Sequence, residues 1–129
     1  MAAPTAGTLR WVTPAGMGFT DRGQAATDLA AGDLLVIATT TPNTGFEKVW
    51  QKAPISTVEP DGVAIAACKA GEPVDVGIQG EMEGYQGMTP KTLFYSSATV
   101  VGGIDSTAVT NAAIRMKAVS ATRIRYCFV

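Results

Sequence analysis

Pro73-Val74-Asp75-Val76-Gly77-Ile78-Gln79-Gly80-Glu81-Met82-Glu83 is the stretch that decides the fold class. Val74, Val76, Ile78 and Met82 fall on one face of an extended chain, and Asp75, Gln79, Glu81 and Glu83 on the other. A period of two over ten residues marks a strand with one buried face and one wet face. Outward from it, Leu34 to Thr39 and Gly62 to Cys68 are continuous apolar, β-branched runs that read as buried strands. Phe46 to Gln51 and Leu93 to Ser97 add two more. Toward the end of the chain Ile114, Met116 and Ala118 alternate with Arg115 and Lys117, and Ile124, Tyr126 and Phe128 alternate with Arg123, Arg125 and Cys127. Turn chemistry separates these runs: Thr41-Pro42-Asn43-Thr44-Gly45, Glu59-Pro60-Asp61-Gly62, Ala70-Gly71-Glu72-Pro73, Met88-Thr89-Pro90-Lys91 and Gly102-Gly103.

Composition agrees. Val, Ile and Thr number 35 of the 129 residues, against 15 for Leu, Glu and Lys together. β-branched side chains suit a pleated surface and lose rotamer freedom in a helix. The expectation is an all-β fold, a small β-barrel or β-sandwich of about seven or eight short strands. Gly23 to Ala31 is the single, poorly capped helix candidate. The large apolar stock is thin. Leu, Ile, Val and Phe number 28, about 22% of the chain, just above the range of disordered sequences. Burial against partners could supply what a free-standing core lacks.

Residues 1–24 differ from the rest. They are rich in Ala, Gly, Thr and Pro, carry no helical period, and hold Trp11, Met17 and Phe19 singly. This segment is expected to be an extended N-terminal arm that docks those aromatics on another surface, ahead of a β-rich core domain over residues 25–129.

Several chemistries are excluded or disfavoured. The chain has no His, so it has no His-based triad and no His metal ligand. Cys68 and Cys127 form no CxxC pair. One disulfide between them is conceivable, but two buried thiols in apolar strands are expected instead. Glu81 and Glu83 lie ~7 Å apart on one strand face, a spacing that glycoside hydrolysis can use. Their neighbours Asp75 and Gln79 make a solvated polar face the better reading. Lys69 beside Cys68 does not activate a thiolate, because adjacent strand residues point to opposite faces. No apolar run is long enough for a transmembrane helix, and the first residues lack the pattern of a signal peptide. Synthesis in the cytoplasm, no membrane partner, no cofactor, no metal and no enzymatic activity are therefore expected.

Charge is unevenly placed. The chain as a whole carries −1, but residues 111–129 hold Arg115, Lys117, Arg123 and Arg125 and no acid. These bases are expected to pair with Asp75, Glu81 and Glu83, in the same chain or across a subunit boundary, rather than with nucleic acid.

The chain resembles the small head-decoration, or cement, proteins of tailed bacteriophages. The resemblance lies in the Thr/Ala/Gly-rich arm running into Ala30-Ala31-Gly32-Asp33-Leu34-Leu35-Val36, and in Gly62-Val63-Ala64-Ile65-Ala66-Ala67 followed by Ala70-Gly71-Glu72-Pro73-Val74-Asp75-Val76. It continues in Thr89-Pro90-Lys91-Thr92-Leu93-Phe94-Tyr95 and the Ala-rich end of the chain. It covers most of residues 28–129 and is one of pattern, without a diagnostic motif. It implies a homotrimer on the outer surface of the virion, bound to the major capsid protein and stabilising the shell by bridging its subunits. A competing expectation is a β-sandwich binding module for carbohydrate or a tail-fibre partner, with Trp50, Tyr85 and Tyr95 as its aromatics.

Overall fold

The computed structural model describes residues 3–13 and 18–128. Ten strands make up the regular structure, and no helix occurs among the described residues: β1 (Thr5–Val12), β2 (Phe19–Ala25), β3 (Leu34–Ile37), β4 (Val49–Lys52), β5 (Gly62–Ala64), β6 (Pro73–Gln86), β7 (Leu93–Ser96), β8 (Ile104–Asp105), β9 (Met116–Ala118) and β10 (Arg123–Cys127). The fold is all-β, as the alternation at 73–83 leads one to expect. The helix expected over Gly23 to Ala31 is absent. Its first residues extend β2, and Leu29 bridges Cys68 with main-chain bonds of 2.9 and 3.0 Å in the two directions.

β6 is the spine. Along one edge it pairs antiparallel with β2 over residues 73–79 and with β1 over residues 81–86. Along the other it pairs with β5 at Val76 and Gly77, then with β10 from Gln79 to Glu83. β2 also pairs parallel with β4, β4 with β3, and β3 with β5. The pairings β2–β4–β3–β5–β6–β2 thus close on themselves, which leaves that half of the sheet without a free edge. The distal half of β6 begins a second run, β1–β6–β10–β9–β7–β8.

Each half has its own core. Every strand of the closed ring supplies the first, through Ala25, Leu35, Trp50, Ala64, Val74, Val76 and Ile78. The second contains Met82, Tyr85, Phe94, Met116, Ile124 and Tyr126 from the distal run, with Leu34 and Val63 from the ring packed against them. Leu34 and Leu35, adjacent on β3, are both fully buried but belong to different cores. This is why the 34–36 and 62–64 segments are apolar without alternation: both faces of those strands are covered there, and only Ile37 at the end of β3 is exposed. Inside the second core the Tyr85 and Tyr126 hydroxyls share a hydrogen bond of 3.1 Å, and burial pushes the Tyr126 phenol well up.

The N-terminal segment belongs to this architecture. β1 and β2 together cover one edge of β6, and the expected boundary at residue 24 falls inside β2. The Trp11 ring lies over Gly77 and Gly80 of β6, where a Cβ at either glycine would collide with it, and its centroid is 6.2 Å from that of Tyr126. Trp11 therefore has apolar company within its own chain, contrary to the expectation of an arm that docks it elsewhere. Gly84 has a φ of 117° and lets the Thr8 carbonyl approach where any Cβ would clash, which a side-chain-bearing residue there would prevent.

Deleting residues 1–24 strips β6 of a whole edge and removes Trp11 from the second core. Such a truncation is expected to lose its cooperative thermal transition by circular dichroism. A truncated chain that melts like the full one would show that the first two strands are dispensable.

Candidate interaction surface

Four of the seven charged residues singled out in the sequence, Glu81, Glu83, Arg123 and Arg125, meet on one face of β6 and β10. Antiparallel register sets Arg123 opposite Glu83 and Arg125 opposite Glu81. Arg123 bridges both carboxylates, at 3.2 Å to Glu81 and 2.9 Å to Glu83, and Arg125 reaches Glu81 at 2.8 Å. On the far side of Glu83, Arg10 of β1 completes the row. Asp75 pairs with Arg22 at 3.0 Å and Arg115 with Glu59 at 3.3 Å. Of the two expected arrangements, within one chain or across a subunit boundary, these pairs realise the first. Lys117 alone of the seven named residues has no ion pair among the described residues.

Glu81 departs from the expected solvated face: its side chain is only 3% exposed, screened by two guanidinium groups. Arg10 and then Arg123 hold the Glu83 carboxyl below its ordinary range. An ionised carboxylate locked to two arginines is the opposite of what a general acid needs.

The aromatic residues separate. Phe19 is 54% exposed, whereas Trp11 is packed and Met17 lies outside the described residues. Of the aromatics offered as a carbohydrate platform, Trp50 and Tyr85 are buried and Tyr95 is half-buried. They present no shared outer face. The cysteines differ from expectation too: Cys68 is half-buried and Cys127 exposed. Ile114, expected on the inner face with Met116, points outward at 65% exposure because the chain enters β9 only at Met116.

A different surface emerges from the loops. Ile55, Val58, Val100, Val101 and Ile114 are all exposed, and together with Phe19 and Ile37 they are the exposed large apolar residues among those described. Main-chain bonds tie their loops together. Ser56 donates to Ser97 at 2.8 Å, Gly102 to Ala53 at 2.8 Å, and Ala113 to Val58 at 3.1 Å. Beside them is an open hollow of about 600 Å³ lined by Ser56, Ala98, Thr99, Ala108 and Val109 among others. Single surface hydrophobics need no explanation, but five on loops bonded to one another make those loops the candidate interaction surface. Sequence reading missed it because these residues are scattered over three separate loops, and only long-range pairing gathers them.

Among the described residues, no three His, Cys, Asp or Glu side chains are grouped so as to hold a metal ion.

Replacing Glu81 with Gln removes one anion from between two arginines. Charged hydrogen bonds contribute about 1.5–3 kcal/mol each, and the half-exposed arginines place the loss near the lower end, measurable by urea denaturation. Acid should act through Glu83 and also through Asp21, which its bond to Lys48 lowers. Because their folded pKa values are depressed, their contribution is present above the unfolded values and is lost as pH falls through the folded ones. The melting temperature is therefore expected to hold at neutral pH and to drop below the ordinary glutamate value of 4.5. A melting temperature that stayed level through that range would remove these carboxylates from the stability account. No family model matches the chain, and no curated protein matches it.

Proposed function

We propose that this chain is a non-enzymatic structural protein of a virion: a decoration protein that binds the outside of a tailed-phage capsid as a homotrimer and stabilises the shell by bridging major capsid subunits. The observation that carries the binding reading is the loop surface of Ile55, Val58, Val100, Val101 and Ile114. It is apolar, it is borne on loops held by a sheet whose edges are largely paired, and it has no covering within the described chain. The capsid as partner comes from the sequence resemblance along residues 28–129.

This assignment changes the physical basis of attachment. Intrachain pairing consumes most of the acids and bases that could otherwise join subunits, so apolar burial rather than charge pairing drives association. Fully burying one large aliphatic side chain contributes roughly 1.5–3 kcal/mol. Three copies of a weak site presented together bind far more tightly than one, because the second and third contacts form at high effective concentration. Bridging several capsid subunits adds that free energy to the cost of separating them. A carbohydrate-binding module is less well supported, since two of its aromatic candidates, Trp50 and Tyr85, are buried and Tyr95 is half-buried.

Light scattering on the purified chain is expected to give the mass of three subunits, and the protein should co-sediment with capsids that lack it. Val100→Asp with Val101→Asp should leave the thermal transition intact, as both side chains are exposed. Capsid affinity should fall by about a hundredfold, at ~1.4 kcal/mol per tenfold. A monomer that never co-sediments would end the decoration reading. Unchanged co-sedimentation of the double variant would move the binding surface elsewhere.

A further inference from the structure

The outer face of β9 and β10 carries a small hollow of about 220 Å³, lined by Leu93, Ile114, Arg115, Lys117, Arg125 and Cys127 together with Met116. Three of these residues are cations. Register sets Lys117 directly opposite Arg125, a like-charge cross-strand pair. Such a pair is destabilising unless an anion lies beside it. Glu81 serves Arg125 from the β6 side, but no anion among the described residues serves Lys117. Arg115 gives one guanidinium nitrogen to Glu59, while its Nε is buried and makes no hydrogen bond among the described residues. Among the described residues, Arg10, Arg115, Lys117, Arg123 and Arg125 meet only Glu59, Glu81 and Glu83. Among those residues two positive charges are left over, on a chain whose net charge is −1.

We propose that this hollow is a docking groove for an extended, acidic segment of a protein partner, with a carboxylate set among Arg115, Lys117 and Arg125 and an apolar side chain against Leu93 and Ile114. Residues i and i+2 of an extended segment face the same way and lie ~7 Å apart, so an acid and a hydrophobe at that spacing can both enter. The hollow is smaller than the roughly 300 Å³ and upward that a drug-sized ligand occupies. A nucleic acid fits it less well. Aliphatic walls offer no base-stacking surface, and the chain's net negative charge opposes a long polyanion. Ile114 belongs both to this groove and to the apolar loop surface, so the two are continuous. The inference rests on the decoration reading only in taking the capsid as the source of the segment.

The test uses the full chain and three labelled probes read by fluorescence anisotropy. They are a peptide Ser-Glu-Ser-Val-Ser-Glu-Ser-Val, its counterpart with Lys for Glu, and a twenty-nucleotide single-stranded DNA. The acidic peptide is expected to bind, to weaken as salt is raised, and to lose at least about tenfold in affinity on Lys117→Glu. Lys117 is exposed, so the variant should keep the wild-type melting curve, and Ile114→Ala should weaken binding several-fold more mildly. No binding of the acidic peptide, binding indifferent to Lys117→Glu, or tighter binding of the DNA would each overturn the proposal. Capsid co-sedimentation separates the two readings. If the wild type and Lys117→Glu sediment equally, the groove is wrong and decoration stands. If neither sediments but the peptide binds, decoration is wrong and the groove stands.

Discussion

Satisfying both edges of one fourteen-residue strand organises this protein. Each residue of β6 after Pro73 presents a main-chain donor and acceptor, and burying them unpaired would cost more than most side-chain contacts return. Four strands meet that demand, two on each edge, and the remaining elements follow from their placement. The change of neighbours midway, from β2 and β5 to β1 and β10, splits the sheet into a closed ring and a second run. It also divides a modest apolar stock between two small cores. The scarcity of large hydrophobics noted in the sequence is met internally to a considerable extent. β3 and β5 are covered on both faces over most of their length, so Leu34, Val36 and Val63 pack in one core and Leu35 and Ala64 in the other.

That division explains which features could be read in the sequence. Val74, Val76, Ile78 and Met82 are all buried, as their period of two requires, although the first three face one core and Met82 the other. The switch between cores is not visible as a change in alternation until Gly84, after which Tyr85 rather than an even-numbered residue points inward. The continuous apolar runs at 34–36 and 62–64 were legible as buried strands because burial on two faces leaves no polar positions. The first twenty-four residues were not legible as strands. Their small, neutral side chains carry little period, and their pairing is dictated by β6, some sixty residues away in sequence. Trp11 looked isolated because its partners, Gly77, Gly80 and Tyr126, are equally remote.

The charged face shows the same limit. Sequence reading identifies the right residues, since Glu81, Glu83, Arg123 and Arg125 do meet, but it cannot say whether they meet within a chain or between chains. Register decides. The two strands are direct neighbours, so each arginine stands opposite a glutamate, and the buried Glu81 carboxyl is met by two guanidinium groups. The residue left out is informative for the same reason. Lys117 lies one strand further on, beyond the reach of both glutamates, and so it retains an unmet charge at the sheet surface.

Adhesion and stability make opposite demands on apolar residues, and the fold assigns them to different places. Side chains on the strands are spent on the two cores, where closure of the ring removes the open edge on which sheets aggregate. The exposed ones stand mainly on the loops that join strands, and main-chain bonds between those loops limit the conformational entropy lost when a partner covers them. A loop surface prepared in this way binds weakly as a single site but with little ordering cost. That is the regime in which repetition on a symmetric particle is most effective, because each added contact contributes nearly its full apolar burial. On the proposed reading, the Lys117 charge at the margin of the same surface, unmet among the described residues, supplies the orientation that apolar burial alone cannot provide.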